Sequence, residues 1–119
     1  MCAAMPEDAG DKMAGFILIY TTYPDKVTAK KVVKHLLEKR LIACANIFPI
    51  TSMYWWEGNI QDDKEYVAIC KTTEENFENV KKEVESIHSY DVPCIVKIPA
   101  EANEKYFNWL KREVSSKKK

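Results

Sequence analysis

Glycine and proline are scarce in this chain, at three and five of 119 residues. Collagen-like and low-complexity classes are therefore excluded. No apolar run approaches the ~20 residues that a membrane-spanning helix needs. The N-terminal MCAAMPEDAGDKM stretch is acidic and lacks the apolar segment of a secretory signal. No C-x-x-C pair occurs, which removes support for a zinc ribbon, a redox dithiol and a soft-metal transfer loop. Net charge is absent too, because 18 basic residues balance 18 acidic ones. Arg40 and Arg112 are the only arginines. A phosphatase-type anion cradle, which draws on arginine in a loop rich in backbone N–H groups, finds no support.

What is present fits one globular domain. The chain has a mass of 13.8 kDa and is 46% hydrophobic. At this size it buries roughly 65% of its unfolded surface. Residues 1–13 carry a net charge of −2 and residues 115–119 a net charge of +3. Both read as tails flanking a single domain at 14–114. The domain itself is slightly acidic, so it lacks the basic face of a nucleic-acid binder. Cys44, Cys70 and Cys94 sit in apolar strand-like runs, and Cys2 sits in the N-terminal tail. Reduced thiols in a cytoplasmic setting are the expectation.

The periodicity lays out the elements in order. Gly15–Thr22 is an apolar, β-branched run, read as a buried strand. Thr22 and Asp25 are spaced as a capping box, with Pro24 in the first turn. Ala29, Val32, Val33, Leu36 and Leu37 then form one helical face that ends near Lys39–Arg40. Ile42–Trp56 is a long strand, with a bend or bulge expected at Pro49. Glu57–Asp63 reads as a turn and Lys64–Thr72 as the returning strand. Thr72-Thr73-Glu74-Glu75 reads as a second capping box, opening a helix with Phe77, Val80, Val84 and Ile87 inward. Cys94–Pro99 is the last strand. A third helix capped by Asn103 turns Tyr106, Phe107, Leu110 and Val114 inward. The order β-α-β-β-α-β plus a helix predicts an α+β ferredoxin-like sandwich, with both crossover helices on one face. This fold hosts many functions. An RNA-recognition module is disfavoured because the third strand, EYVAICKT, has one aromatic and no glycine.

Six segments, in order from Phe16 to Leu110, carry a family resemblance. They are Thr22-Tyr23-Pro24-Asp25 with Ala29; Leu41-Ile42-Ala43-Cys44-Ala45-Asn46; and Ser52-Met53-Tyr54-Trp55-Trp56-Glu57-Gly58. They continue with Glu65 and Lys71-Thr72, then His88-Ser89-Tyr90-Asp91-Val92-Pro93, then Tyr106 with Trp109-Leu110. Together they resemble the CutA family, named for divalent-cation tolerance. The resemblance implies a ferredoxin-like protomer, a homotrimer similar to the PII-type signalling proteins, and binding of divalent cations such as copper. It implies no established enzymatic activity. Ser89 and Cys94 stand where the family motif has proline and glutamate, and Tyr20 and Thr21 stand near a position where many members carry cysteine. A thiol in place of a carboxylate would shift a cation site towards copper or zinc.

Several residues then become candidates. His88 is read either as an imidazole ligand or acid–base group, or as a cation at a helix C-terminus. With Cys94 it forms the expected metal pair. Tyr54, Trp56, Glu57, Glu65, Lys71 and Tyr90 are expected to line a cleft between subunits that takes a divalent cation or a small polar ligand. Lys71 has an alternative as an ordinary cross-strand ion pair. Cys44 is expected in the core or an interface, and His35 facing solvent. Trp55 and Trp56 are adjacent on a strand, so both cannot enter one core; an exposed aromatic patch there marks an interface. The competing reading covers this patch with the C-terminal helix. The functional alternatives are a structural or regulatory scaffold with incidental metal binding, and a weak hydrolase using His88 as base.

Overall fold

A computed structural model describes residues 15–115. Cys2, the 1–13 tail and Lys117–Lys119 lie outside the described residues. Strand β1 is Phe16–Tyr23, helix α1 Lys26–Glu38, strand β2 Cys44–Trp56 and strand β3 Asn59–Thr73. A 3₁₀ turn at Glu74–Asn76 leads into helix α2, Phe77–Ile87. Strand β4 is Ile95–Pro99 and helix α3 is Glu104–Ser115. The four strands form one antiparallel sheet in the order β2-β3-β1-β4. This is the ferredoxin-like arrangement expected from the element order.

The two faces of the sheet have different fates. Ile17, Ile19, Thr21 and Tyr23 of β1 alternate onto one face, with Ala68 and Cys70 of β3 opposite them. Here they meet Ala29, Val32, Val33 and Leu36 of α1 and Val80 and Val84 of α2. Each fully buried aliphatic side chain in this layer contributes about 1.5–3 kcal/mol. On the other face, Phe16 packs edge-on against Tyr106 and Phe107 of α3, with Leu110 completing that cluster. The third helix therefore covers only the end of the outer face where β1 begins. The far end, at Thr22 and Glu65, is left uncovered by it.

Helix starts differ from the expected capping boxes. Asp25, not Thr22, caps α1: it is extended, and its carboxylate accepts from the Thr28 N–H at 2.7 Å. Thr22 belongs to β1, because the ladder with β3 runs on to Tyr23. The second box does not form either. The Thr72 hydroxyl donates to the Leu41 carbonyl at 2.6 Å, and Asn76 joins the same carbonyl and the Thr72 oxygen. Thr73 makes no capping bond, and its buried Oγ1 has no partner. Thr72→Val is thus expected to cost about 1–3 kcal/mol, whereas Thr73→Val is neutral or stabilising. Urea denaturation of the two variants checks this; an equal loss in both would restore the capping box.

The hairpin is longer and straighter than expected. Glu57 and Gly58 both have positive φ, at 52° and 82°, as in a two-residue type I′ turn. The segment after Gly58 is strand, so the expected turn at 57–63 shrinks to two residues. Pairing from Cys44↔Lys71 to Trp56↔Asn59 is unbroken, with no bulge at Pro49. Since β2 is an edge strand, a proline nitrogen facing outward costs no ladder bond.

Two polar residues are also placed differently. His35 does not face solvent alone: its Nε2 lies 2.7 Å from Glu83, which also accepts from Lys39, so α1 and α2 are tied together. These contacts hold the Glu83 carboxyl below its ordinary value. Arg40 ends α1 in the left-handed region, at φ 59°, and pairs with Glu113 of α3 at 2.8 Å.

Candidate functional site

The uncovered end of the outer sheet face is a cleft of ≈ 810 Å³. Strand alternation builds its floor. Even-numbered residues of β1 and β2 and odd-numbered residues of β3 share this face, so Tyr20 and Thr22 meet Ser52, Tyr54, Trp56 and Glu65. The loop after α2 supplies the facing wall through Ser89, Tyr90, Asp91, Val92 and Cys94. No lysine, arginine or histidine lines it.

Glu65 is the chemical centre of the cleft. It is only 8% exposed, and it accepts a hydrogen bond from the Tyr90 hydroxyl. Burial, then that bond to a carboxylate, drives the Tyr90 phenol well above its ordinary value. The Tyr54 hydroxyl donates to Asp63 at 2.5 Å, and this bond pushes Tyr54 up to about 12. Burial and the Glu65 charge raise the Cys94 thiol.

His88 holds the wall in place. It caps the C-terminus of α2, and its N–H bonds the Val84 carbonyl at 2.8 Å. The Tyr90 N–H donates to Nδ1 at 3.1 Å, so Nε2 carries the hydrogen given to the Thr22 carbonyl at 2.6 Å. The ring stacks on Tyr23, with centroids 4.7 Å apart and planes 13° from parallel, and contacts Tyr90 at 4.7 Å. Both nitrogens are therefore committed to backbone. His88 is placed neither as a free base for hydrolysis nor as a ligand.

Within one protomer the expected metal pair of His88 and Cys94 is not poised for an ion. The imidazole is engaged, Glu65 is bonded by Tyr90, and the raised thiol disfavours the thiolate a soft metal requires. Among the described residues, no three His, Cys, Asp or Glu side chains converge on a point that could hold an ion. Within one protomer, the described residues therefore do not form a copper or zinc centre by themselves.

Tyr54, Trp56, Glu65 and Tyr90 do come together in the cleft. Two expected companions stand elsewhere. Glu57 occupies the hairpin turn. Lys71 lies opposite Cys44 and Leu18, at the end of the face that α3 covers, and its ammonium sits 5.6 Å from the Tyr106 ring centroid. Cys44 is half-buried there, 3.3 Å from the Tyr106 hydroxyl. Sequence reasoning missed Tyr20, Asp91 and the stacking role of Tyr23. Alternation along β1 would have found Tyr20 only with the β1–β3 register in hand, since it pairs with Ile69 on the Glu65 face.

Titration of the strongly raised groups has one sign. Burial pushes Cys70 from 9.0 up to about 12; burial and then the Cys44 contact push Tyr106 from 10.0 up to about 12. Each raised group stabilises the fold below its unfolded value, and that contribution is lost as pH climbs to the folded value. Stability is expected to fall between pH 9 and 12. Thermal melts across this range check it; a flat profile to pH 12 would contradict the burial of Cys70.

A profile of the CutA1 divalent ion tolerance protein family matches residues 17–113. The divalent-cation tolerance protein CutA of Pyrococcus horikoshii is 50% identical over 98 residues, covering 82% of this chain and 96% of that protein. The rice protein CutA 1, chloroplastic, is 40% identical over 97 residues, covering 80% of this chain and 55% of its own length. The structure of the periplasmic divalent cation tolerance protein CutA from Archaeoglobus fulgidus superposes with a TM-score of 0.81 at 44% identity, covering 83% of this chain and 98% of that one. These relatives are described from different compartments, so kinship does not favour the cytoplasm. Among the described residues, no helix is long and apolar enough to cross a membrane. Profile, relatives and superposition agree over the whole described sandwich, and the chain belongs to the CutA1 divalent ion tolerance family.

Proposed function

We propose that this chain is a homotrimeric cation-binding protein, with one acidic, aromatic cleft per protomer. The carrying observation is Glu65, a carboxylate buried to 8% exposure on the floor of a cleft whose lining contains no basic side chain. A buried carboxylate without a cationic partner favours a ligand that supplies the charge. Membership of a cation-tolerance family supports the same sign. Assembly is supported by the hairpin: Met53, Trp55 and Ile60 are more than 60% exposed, forming an apolar end that a neighbouring subunit would cover. A scaffold without a ligand would have no use for a buried charge in an open cleft.

Trp56 lies on the cleft face, so intrinsic fluorescence reports the occupancy of the cleft. Titration with matched cationic, neutral and anionic small molecules is expected to show binding of cations alone, weakened at least tenfold in Glu65→Gln. Tighter binding of an anion, or affinity unchanged in Glu65→Gln, would overturn the reading.

A further inference from the structure

We infer that the ligand is a small organic cation, an ammonium head on an apolar body, and not a metal ion. This rests on the cation-binding reading above and narrows its chemistry. Tyr20, Tyr54, Trp56 and Tyr90 line the cleft together with Glu65. Aromatic faces attract a cation through the ring quadrupole, and they do so best for a weakly hydrated ammonium that gives up its water easily. A metal ion demands the opposite. It must exchange its water for several donor atoms at fixed distances, and no three metal-binding side chains converge among the described residues.

Size and charge agree with this assignment. At ≈ 810 Å³ the cleft holds a molecule of many heavy atoms, whereas a bare ion would leave most of it filled with water. Glu65 supplies the charge partner at the floor and Asp91 a second carboxylate at the wall, with no competing cation in the lining. Tyr90 donates to Glu65 and thereby holds the carboxylate within the aromatic-lined cleft. A neutral apolar molecule would leave that carboxylate uncompensated, and an anion would be repelled by it.

The test uses the full chain in its native assembly. Choline chloride, its neutral carbon isostere 3,3-dimethyl-1-butanol and zinc chloride are each titrated by calorimetry into wild type, Glu65→Gln and Asp91→Asn. The inference expects choline to bind at least tenfold more tightly than the isostere. It expects that preference to drop at least tenfold in Glu65→Gln and severalfold in Asp91→Asn, the latter serving if Glu65→Gln does not fold. Zinc binding that depends on Glu65, with no choline binding, would overturn the ammonium assignment and leave the cation-binding reading standing. Equal binding of choline and its isostere, or no binding of either choline or zinc, would overturn both.

Discussion

Replacing Trp55 and Trp56 together by serine is expected to break the assembly into monomers or aggregates. Trp55 is 71% exposed and Trp56 44% exposed in the protomer. The C-terminal helix does not cover them, since it packs on Phe16 at the opposite end of the sheet. Each indole buries about 150–250 Å² when covered. Scaled to the fraction still exposed, at ~25 cal/mol/Å² this corresponds to about 3–4 kcal/mol for Trp55 and about 2–3 kcal/mol for Trp56. Loss of two rings at every subunit contact exceeds what most interfaces tolerate. Sedimentation equilibrium at micromolar concentration provides the check. Wild type should sediment at three times 13.8 kDa, and the double variant at the monomer mass or as aggregate. A wild-type monomer would remove the trimer from the proposed function; a variant that stays trimeric would move the interface elsewhere.

His88→Ala is expected to destabilise the fold strongly without specifically removing a metal. The change deletes the stack on Tyr23, leaves the Thr22 carbonyl and the Tyr90 N–H without their partner, and frees the wall that carries Tyr90. Together these losses amount to about 2–4 kcal/mol. Denaturant unfolding measures the stability, and zinc titration of the variant under folded conditions measures the affinity. A variant as stable as wild type but deficient in zinc binding would make His88 a ligand and refute the structural role. A Tyr90→Phe control separates wall from ligand: it removes the bond to Glu65 while leaving the imidazole held by backbone.

The fold was legible because each element carries its own period, and Ala29, Val32, Val33 and Leu36 on α1 fall inward as their spacing requires. Caps were less legible. Thr22 and Thr72 have the right spacing, yet strand pairing and a buried carbonyl claim them first. The cleft was half legible. Alternation puts Glu65 and Lys71 on one face, but it says nothing about position along that face, where α3 covers Lys71 and leaves Glu65 open. His88 was recognisable as special from its motif. Its role was not, because both of its polar partners are backbone groups, one of them 66 residues away, which no side-chain pattern can announce.

The unbroken β2–β3 ladder also bears on how the chain reaches its native state. A hairpin closed by two residues pairs neighbours in sequence, so it forms with little loss of chain entropy. Joining β1 to β3, or β4 to β1, requires far longer loops. The hairpin is therefore expected to form before the core, and its thirteen-residue outer strand, ending in Tyr54-Trp55-Trp56, then offers the N–H and C=O groups of every second residue to any other chain nearby. Such an edge is a template for uncontrolled aggregation. Pro49 interrupts its run of donors near the middle, and Pro99 closes the other open edge at the end of β4. Each proline removes a donor that a second chain would need in order to add a strand while the aromatic end of the hairpin is exposed.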